Sequence, residues 1–264
     1  DIGSRAQAFD SRNNFDASVA PAVRNPSVAT PYVARAGQAI VKSVSFQDEV
    51  VGVDCQDTAV LGVQPRHCLY YLAALTVLGE APPDGTGEGY FRPPYVGTAR
   101  PLIAVSEARL DRLPRLPLEG VSGLPDREAT ETALCQLPVE FMGTFAQQFL
   151  KGYLNVGETR GYHGYVSIAL GDRLLRALFE DRTELMALCL VQRGIDMHHM
   201  LLDPVATSWG PNGGHGQGRT MWPYLAASLL GRDDWISAMD AMAPGRFAER
   251  SQIYWSGVAD PDAA

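Results

Sequence analysis

Lysine is almost missing from this chain of 264 residues, because Lys42 and Lys151 are the only two and arginine supplies nearly all positive charge. The formal net charge is −8. No cluster of basic residues interleaved with aromatic ones occurs, although proteins that bind nucleic acid usually carry a basic face of that kind. The composition therefore argues against a nucleic-acid partner.

Long apolar runs are lacking as well. No stretch of about 18 or more apolar residues occurs, so the sequence predicts no membrane span. The chain begins DIGSRAQAFDSRNNFD, without a start methionine or an apolar signal region. We expect a mature or trimmed product of an exported protein, extracellular or periplasmic, whose targeting segment has been removed.

The four cysteines include no CxxC pair, and His67 beside Cys68 is too little for a zinc site. We therefore expect no metal and no other cofactor. Cys55 and Cys68 flank a turn-like segment and are the candidate disulfide, with two free thiols as the alternative. Cys189 lies in the apolar run LMALCLV and is expected to be a buried thiol.

A change of character near residue 125 predicts two parts, an N-terminal region over 1–125 and a helical domain over 126–264. In the first part, GQAIVKSVSF (37–46) alternates as a strand does, whereas YYLAALTVL (70–78) fits a strand or a short helix.

The rest of the N-terminal region is rich in proline, which limits its secondary structure. It removes a backbone donor and drives the preceding residue into extended conformations, which excludes regular helix from 80–101 and 112–125. We expect long extended segments that wrap another part of a structure.

The second part has apolar residues at helical spacing. Asp181 with Glu184 resembles a capping box at the start of one helix. The pattern predicts helices over 139–154, 162–179, 181–201, 221–231 and 233–242. The predicted fold is mainly α, made of helical hairpins, beside a β-containing, extended and proline-rich N-terminal region. This core is small for the length, so self-association or a continuation of the same chain is expected to complete it.

The segment WGPNGGHGQGRTMW (209–222) joins two of these helices. Its glycines permit close approach of another molecule, and its amides could hold an anion at the next helix N-terminus, helped by Arg219. Asn212 is a turn former or a catalytic donor, and His215 is a loop histidine or a general acid/base. Trp209 and Trp222 fit either burial or stacking on a sugar ring.

Two further segments carry groups suited to proton transfer or ligand binding. In TRGYHGYVS (159–167), the tyrosine and histidine side chains either pack together at the start of a helix or take part in proton transfer. In GIDMHHML (194–201), Asp196 and His199 are three apart and face the same way. They fit a metal site, or an aspartate that orients a histidine or caps an arginine; the second reading is favoured because no further ligands follow.

The segments LVQRGIDMHHML (190–201) and WGPNGGHGQGRTMWPYLAASLLG (209–231) resemble part of large exported bacterial proteins of uncharacterised function. Those proteins pair a similar GID helix with an NGGHGxGR loop and a following LLG helix. YFRPPYVGTARPL (90–102) and ERSQIYW (249–255) resemble the same proteins. The helical part is also similar to the (α/α) toroids of polysaccharide lyases and related sugar-active enzymes. It departs from them because such toroids continue with more helices where this sequence stops at residue 264.

The toroid resemblance implies β-elimination of a uronate-containing polysaccharide, or else hydrolysis. Elimination requires neutralisation of the sugar carboxylate, a base for the α-proton and an acid for the leaving oxygen. The implied catalytic residues are His215 or Tyr165 as base, Tyr162 as acid, and Asn212 with Arg219 on the carboxylate. The implied substrate-binding residues are Trp209, Trp222, His163, Gly214 and Gly216.

Two other classes of function remain open at the level of sequence. The long N-terminal arm fits a structural or assembly protein that reaches over neighbouring subunits. A glycan binder without catalysis would use the same exposed aromatic residues.

Overall fold

The computed structural model describes residues 31–46, 68–97, 99–137, 171–202 and 218–251, and all structural statements below concern these residues. About 45% of them are helical, and two small sheets accompany the helices, so this part of the chain is mainly α. The strands are β1 (Ala39–Phe46), β2 (Cys68–Thr76), β3 (Tyr90–Phe91) and β4 (Ile103–Ala104). The helices are α1 (Arg127–Leu134), α2 (Glu184–Leu202), α3 (Met221–Leu230), α4 (Asp233–Asp240) and α5 (Ala248–Ser251).

The strands β1 and β2 form an antiparallel ribbon, in which Ala39 lies opposite Thr76 and Phe46 opposite Cys68. The strand predicted over 37–46 is thus confirmed, and the open choice for 70–78 resolves as a strand. The ribbon has a register irregularity between Val44 and Ser45, and such a bulge bends and twists a strand. The second sheet is a two-residue pairing of β3 with β4.

The proline-rich segments contain no α-helix within the described residues, as their prolines predict. They lie instead against the helical part of the chain. Leu116 exchanges backbone hydrogen bonds with Leu178 and Glu180, at 2.8 and 2.9 Å, in an isolated parallel bridge. Arg182 also donates to the carbonyls of Pro114 and Leu113. The extended segments therefore contact the turn that precedes α2, across the boundary predicted at residue 125.

Three predicted helices are confirmed with shifted ends, since α2 covers 184–202, α3 covers 221–230 and α4 covers 233–240. Of the helix predicted over 162–179, residues 171–176 are helical, and most of the rest lies outside the described residues, as does all of 139–154. The closed toroid depends on those stretches and stays a prediction.

The predicted capping box at Asp181 is wrong. Helix α2 begins at Glu184, and its first turn is capped by Thr183, whose Oγ1 accepts the amide of Met186 at 3.1 Å. Asp181 lies too far upstream to cap, and its two oxygens accept both Nη groups of Arg176 at 2.6 Å. This buried guanidinium holds the pKa of Asp181 below its usual value.

Helices α2 and α3 form the centre of the core and approach closely at Gly194. A Cβ atom at this position would lie 2.4 Å from both the Cβ of Ala226 and the carbonyl oxygen of Trp222. Only glycine therefore permits this approach. The largest fully buried side chains are Trp222, Arg219, Phe247, Leu134, Met186, Leu190, Ile195, Met197 and Leu201.

The expectation of a buried thiol at Cys189 is wrong, because Cys189 of α2 forms a disulfide with Cys135 at the end of α1. The helical run does bury this position partly, but the neighbouring helix supplies a second cysteine 54 residues away in sequence. The proposed Cys55–Cys68 pair involves Cys55, which lies outside the described residues, and stays a prediction. No helix among the described residues is long and apolar enough to cross a membrane.

Candidate functional site

The glycine loop, residues 203–220, is held at its C-terminal end by a carboxylate from elsewhere in the chain. Glu249 of α5 accepts the amides of Gly218 and Arg219 at 2.7 and 3.3 Å with one oxygen, and the hydroxyl of Thr220 with the other. A helix N-terminus favours a negative charge because its first amides lack helical partners. The carboxylate of Glu249 therefore lies directly before α3, in the region where the sequence allowed an anion to bind.

The other end of the loop is fixed by the same region of the chain. Arg246, in a 3₁₀ turn just before α5, donates from Nη2 to the carbonyl of Leu201 at 2.9 Å. Leu201 lies in the last turn of α2, directly before the loop begins. Residues 246 and 249 thus hold both ends of the loop that carries the glycines and His215.

Two sequence-derived candidates near the loop are buried. Trp222 is fully buried, its Nε1 donates to the carbonyl of Gly218 at 3.1 Å, and the guanidinium of Arg193 lies 5.5 Å from its ring centroid. It offers no face to a sugar ring in this arrangement, so burial is the reading that the structure favours. Arg219 is fully buried too, so its guanidinium lies inside the protein and not on an open loop surface.

The remaining candidates lie outside the described residues, so their roles stay predictions. They are Tyr162, His163, Tyr165, Trp209, Asn212, Gly214, His215 and Gly216.

One group of side chains next to the loop was missed by the sequence reading. The hydroxyl of Tyr224 donates to Oδ1 of Asp240 at 2.6 Å, and Nη2 of Arg250 donates to both at 2.6 Å. We call these three residues the tyrosine triad. Burial, together with the bond to Asp240, raises the pKa of Tyr224 to about 12. Its hydroxyl therefore keeps its proton at neutral pH and suits an acid better than a base.

The tyrosine triad and the loop end meet at α5, because Glu249 and Arg250 are adjacent residues. Glu249 holds the loop, whereas Arg250 binds Tyr224 and Asp240. Tyr224 lies in the first turn of α3, which begins shortly after Gly218. The only local signal in the sequence is a tyrosine in the first turn after the loop; its partners are 16 and 26 residues away.

A second polar group lies in the last turns of α2. Asp196 is almost fully buried and forms an ion pair with Arg92 of the extended segment. This confirms the reading that Asp196 caps an arginine. Burial raises the pKa of Asp196 to about 6, although the positive charge of Arg92 acts in the opposite direction. Its Oδ1 has no hydrogen-bond partner among the described residues.

The two histidines of this helix contact Trp235 of α4. His198 stacks on the indole, with 3.9 Å between ring centroids and 7° between planes, and His199 meets the same ring edge-on at 5.6 Å. Burial lowers the pKa of His198 to about 3 and that of His199 to about 4, and nearby positive charge, from Arg232 on both and from Arg100 on His199, adds to this. Both rings are therefore neutral at physiological pH and serve packing more readily than base catalysis.

No group of three or more candidate metal ligands occurs among the described side chains. The pair Asp196 and His199 gains no third ligand there, and Asp196 is engaged by Arg92. The arrangement can hold a loop rigidly at its ends and present a protonated tyrosine beside an arginine.

Comparison with known proteins identifies no relative. No family model matches the chain, and neither a curated protein nor a solved structure matches it. The resemblance to exported bacterial proteins and to polysaccharide lyases stays a prediction from the motifs.

Proposed function

We propose that the chain acts on an anionic polysaccharide by β-elimination, at a site formed by the glycine loop and the tyrosine triad. The observation that carries this proposal is the bridge at α5, where Glu249 binds the loop end and Arg250 binds Tyr224. A loop fixed at both ends holds its side chains in a narrower range of positions than a free loop. Rigid presentation of this kind is what proton transfer requires.

In this proposal the reaction has three parts. His215 or Tyr165 takes the proton next to the sugar carboxylate, and the electron pair left behind forms a carbon–carbon double bond. The bond from the β-carbon to the glycosidic oxygen breaks, and Tyr162 or Tyr224 protonates the leaving oxygen. Asn212 stabilises the negative charge that grows on the carboxylate.

The buried position of Arg219 changes its part in the proposal. A guanidinium with no exposed surface has no access to a substrate in solution, so we assign it to positioning the loop end and not to binding the sugar. Trp222 has the same positioning role, because its indole Nε1 bonds the carbonyl of Gly218. Trp209, His163, Gly214 and Gly216 remain the proposed substrate contacts.

The disulfide between Cys135 and Cys189 supports a place outside the cytoplasm. Disulfides persist in oxidising compartments and are rare where glutathione keeps thiols reduced. We therefore propose an extracellular or periplasmic location, where polysaccharides are available as substrates.

The experiment is a panel of polyuronates, with product followed by the ultraviolet absorbance of the new double bond. The proposal expects absorbance to grow with at least one polymer and to be lost in His215→Ala, while His67→Ala keeps it. Absence of product from the whole panel with folded protein rejects the lyase. Binding without product assigns the site to glycan binding alone.

A second function, subunit assembly, is favoured by the ribbon of β1 and β2. Within the described residues each strand has one neighbour, so both edges are unpaired, and a lone two-stranded ribbon is marginally stable in water. Leu75 of β2 is 64% exposed and Val33, just before the ribbon, is 78% exposed. Light scattering tests this function: a fixed oligomer that Leu75→Ser dissociates supports it, and a monomer at all concentrations rejects it.

A further inference from the structure

A cavity of about 340 Å³ lies at the end of the β1–β2 ribbon. Its wall includes Gly37, the segment 77–81 and the pair Arg100 and Leu102. The amide of Gly37 donates to the carbonyl of Val77 at 2.7 Å, which fixes this wall to the last residues of the ribbon. Ligand cavities in proteins begin at about 300 Å³, so the space fits one small molecule.

Arg100 is the basic residue of this cavity, and its guanidinium is positioned by the backbone. Nη1 donates to the carbonyls of Val96 and Ala99 at 3.0 and 2.9 Å. Partial burial lowers the pKa of this guanidinium without removing its charge. No ion pair between a carboxylate and Arg100 occurs in the described part of the chain, and the buried Nε of Arg100 has no hydrogen-bond partner there.

Four other arginines among the described residues differ in this respect. Arg92, Arg176, Arg232 and Arg250 each pair with an aspartate. Arg182 also bonds only backbone carbonyls, but it does not line the cavity. A fixed guanidinium at a cavity wall is suited to a carboxylate, because a hydrogen bond between two charged groups is stronger than one between neutral groups.

The rest of the lining narrows the chemistry of the ligand. Val77, Leu78, Pro83 and Leu102 offer apolar contact to a carbon skeleton. Glu80, an exposed residue, lines the same cavity and accepts hydrogen bonds without donating any when ionised. Its negative charge repels a second carboxylate, whereas its oxygens accept hydrogen bonds from hydroxyl groups. A hydroxylated monocarboxylate therefore fits the cavity better than a dicarboxylate or a fatty acid does.

We propose that the cavity at Arg100 binds a small hydroxylated carboxylate of the size of a single sugar acid. The carboxylate lies on the guanidinium of Arg100, the hydroxyl groups point towards Glu80, and the carbon skeleton contacts the apolar lining. This site is independent of the proposed lyase chemistry, because a free sugar acid has no glycosidic bond to break.

The test is isothermal titration of the full chain with glucuronate, and with glucose and propionate as probes that lack the carboxylate or the hydroxyl groups. Glucuronate is expected to bind at least about 10-fold more tightly than either, since a hydrogen bond to a charged group is worth that factor or more. Equal binding of all three, or no binding of glucuronate, overturns the proposal.

Variants locate the binding in the cavity. Arg100→Gln is expected to weaken glucuronate at least about 10-fold, whereas Arg112→Gln, at an exposed arginine outside the cavity, leaves it unchanged. Glu80→Gln removes the repelling charge, keeps an acceptor and is expected to tighten binding a few-fold. Unchanged affinity in Arg100→Gln, or equal losses in Arg100→Gln and Arg112→Gln, overturns the site. If Arg100→Gln fails to fold, the titration of Glu80→Gln with glucuronate tests the site instead. Weaker or unchanged binding of glucuronate by Glu80→Gln also contradicts the proposal.

Discussion

Glu249 accepts the backbone amide of Gly218 at 2.7 Å, and this contact joins the end of the glycine loop to the short helix α5. The loop therefore leaves and re-enters the helical core at positions set by residues 246–250, more than 25 residues further along the chain. The positions of the two loop ends therefore depend on this C-terminal segment.

The first prediction concerns this contact. Glu249→Gln replaces one accepting oxygen by an amide that only donates, which leaves Gly218 or Thr220 without its partner. We expect a loss of about 1–3 kcal/mol in the free energy of unfolding and faster hydrogen exchange at the amides of residues 218 and 219. Exchange mass spectrometry measures the second effect. Glu119→Gln, at an exposed carboxylate, is the matched control, and equal exchange in both variants would contradict the role of Glu249.

The second prediction concerns the disulfide between Cys135 and Cys189. A cross-link that closes a loop of 54 residues restricts the unfolded chain, and the chain-entropy relation gives about 4 kcal/mol for this length. We expect the double variant Cys135→Ser, Cys189→Ser to unfold at clearly lower denaturant. A reducing agent should then lower the stability of the wild-type protein much more than that of the double variant. A similar response of both proteins would argue against this pairing.

The third prediction concerns the helix contact at Gly194. Gly194→Ala places a methyl group 2.4 Å from two atoms of α3, so the helices must separate. We expect a loss of about 1–3 kcal/mol or more, measured by chemical denaturation. Gly171→Ala is the control, because this helical glycine has no atom within 4 Å of the added Cβ. It should be neutral or stabilising by up to about 1 kcal/mol.

Some parts of this structure are determined by short stretches of sequence and could therefore be predicted. The helices α2, α3 and α4 and the strand β1 were predictable because apolar spacing along a short stretch sets which face is buried. The ends of the helices were less predictable. The sequence around Asp181 resembles a helix cap, but the carboxylate of Asp181 binds Arg176 instead.

Contacts between distant segments could not be predicted. The sequence suggested that Asp196 caps an arginine, yet nothing local indicates that the arginine is Arg92, more than 100 residues earlier. Cys55 and Cys68 were the candidate disulfide because they lie close together in the sequence. Cys135 and Cys189 meet only because α1 packs on α2, which the sequence does not show. The sequence allowed an anion at the start of α3, but it could not indicate Glu249, which lies next to Gly218 only in the folded chain.

The fourth prediction concerns pH. The pKa values of His198 and His199 fall from 6.5 to about 3 and about 4 on folding, so the folded state binds fewer protons than the unfolded chain between pH 4 and 6.5. Stability therefore rises with pH across that window, by at most about 1.4 kcal/mol per pH unit for each histidine. Asp196 acts in the opposite direction, because its pKa is raised from 3.8 to about 6 and its contribution is lost as pH rises.

Variants separate these contributions. Denaturant unfolding at several pH values between about 4 and 6.5 should give a flatter slope in His199→Asn and a steeper one in Asp196→Asn. A slope that stays the same in His199→Asn would mean that this ring keeps its ordinary pKa in the folded protein.

The measurement that tests the proposed site most directly compares Tyr224→Phe with Tyr90→Phe in the polyuronate assay. Both changes remove one phenolic hydroxyl, but only that of Tyr224 belongs to the tyrosine triad beside the loop. If Tyr224 protonates the leaving oxygen, kcat should fall about 10²-fold or more in Tyr224→Phe and stay unchanged in Tyr90→Phe. Cleavage at the wild-type rate by a folded Tyr224→Phe protein would contradict Tyr224 as the acid and leave that role to Tyr162.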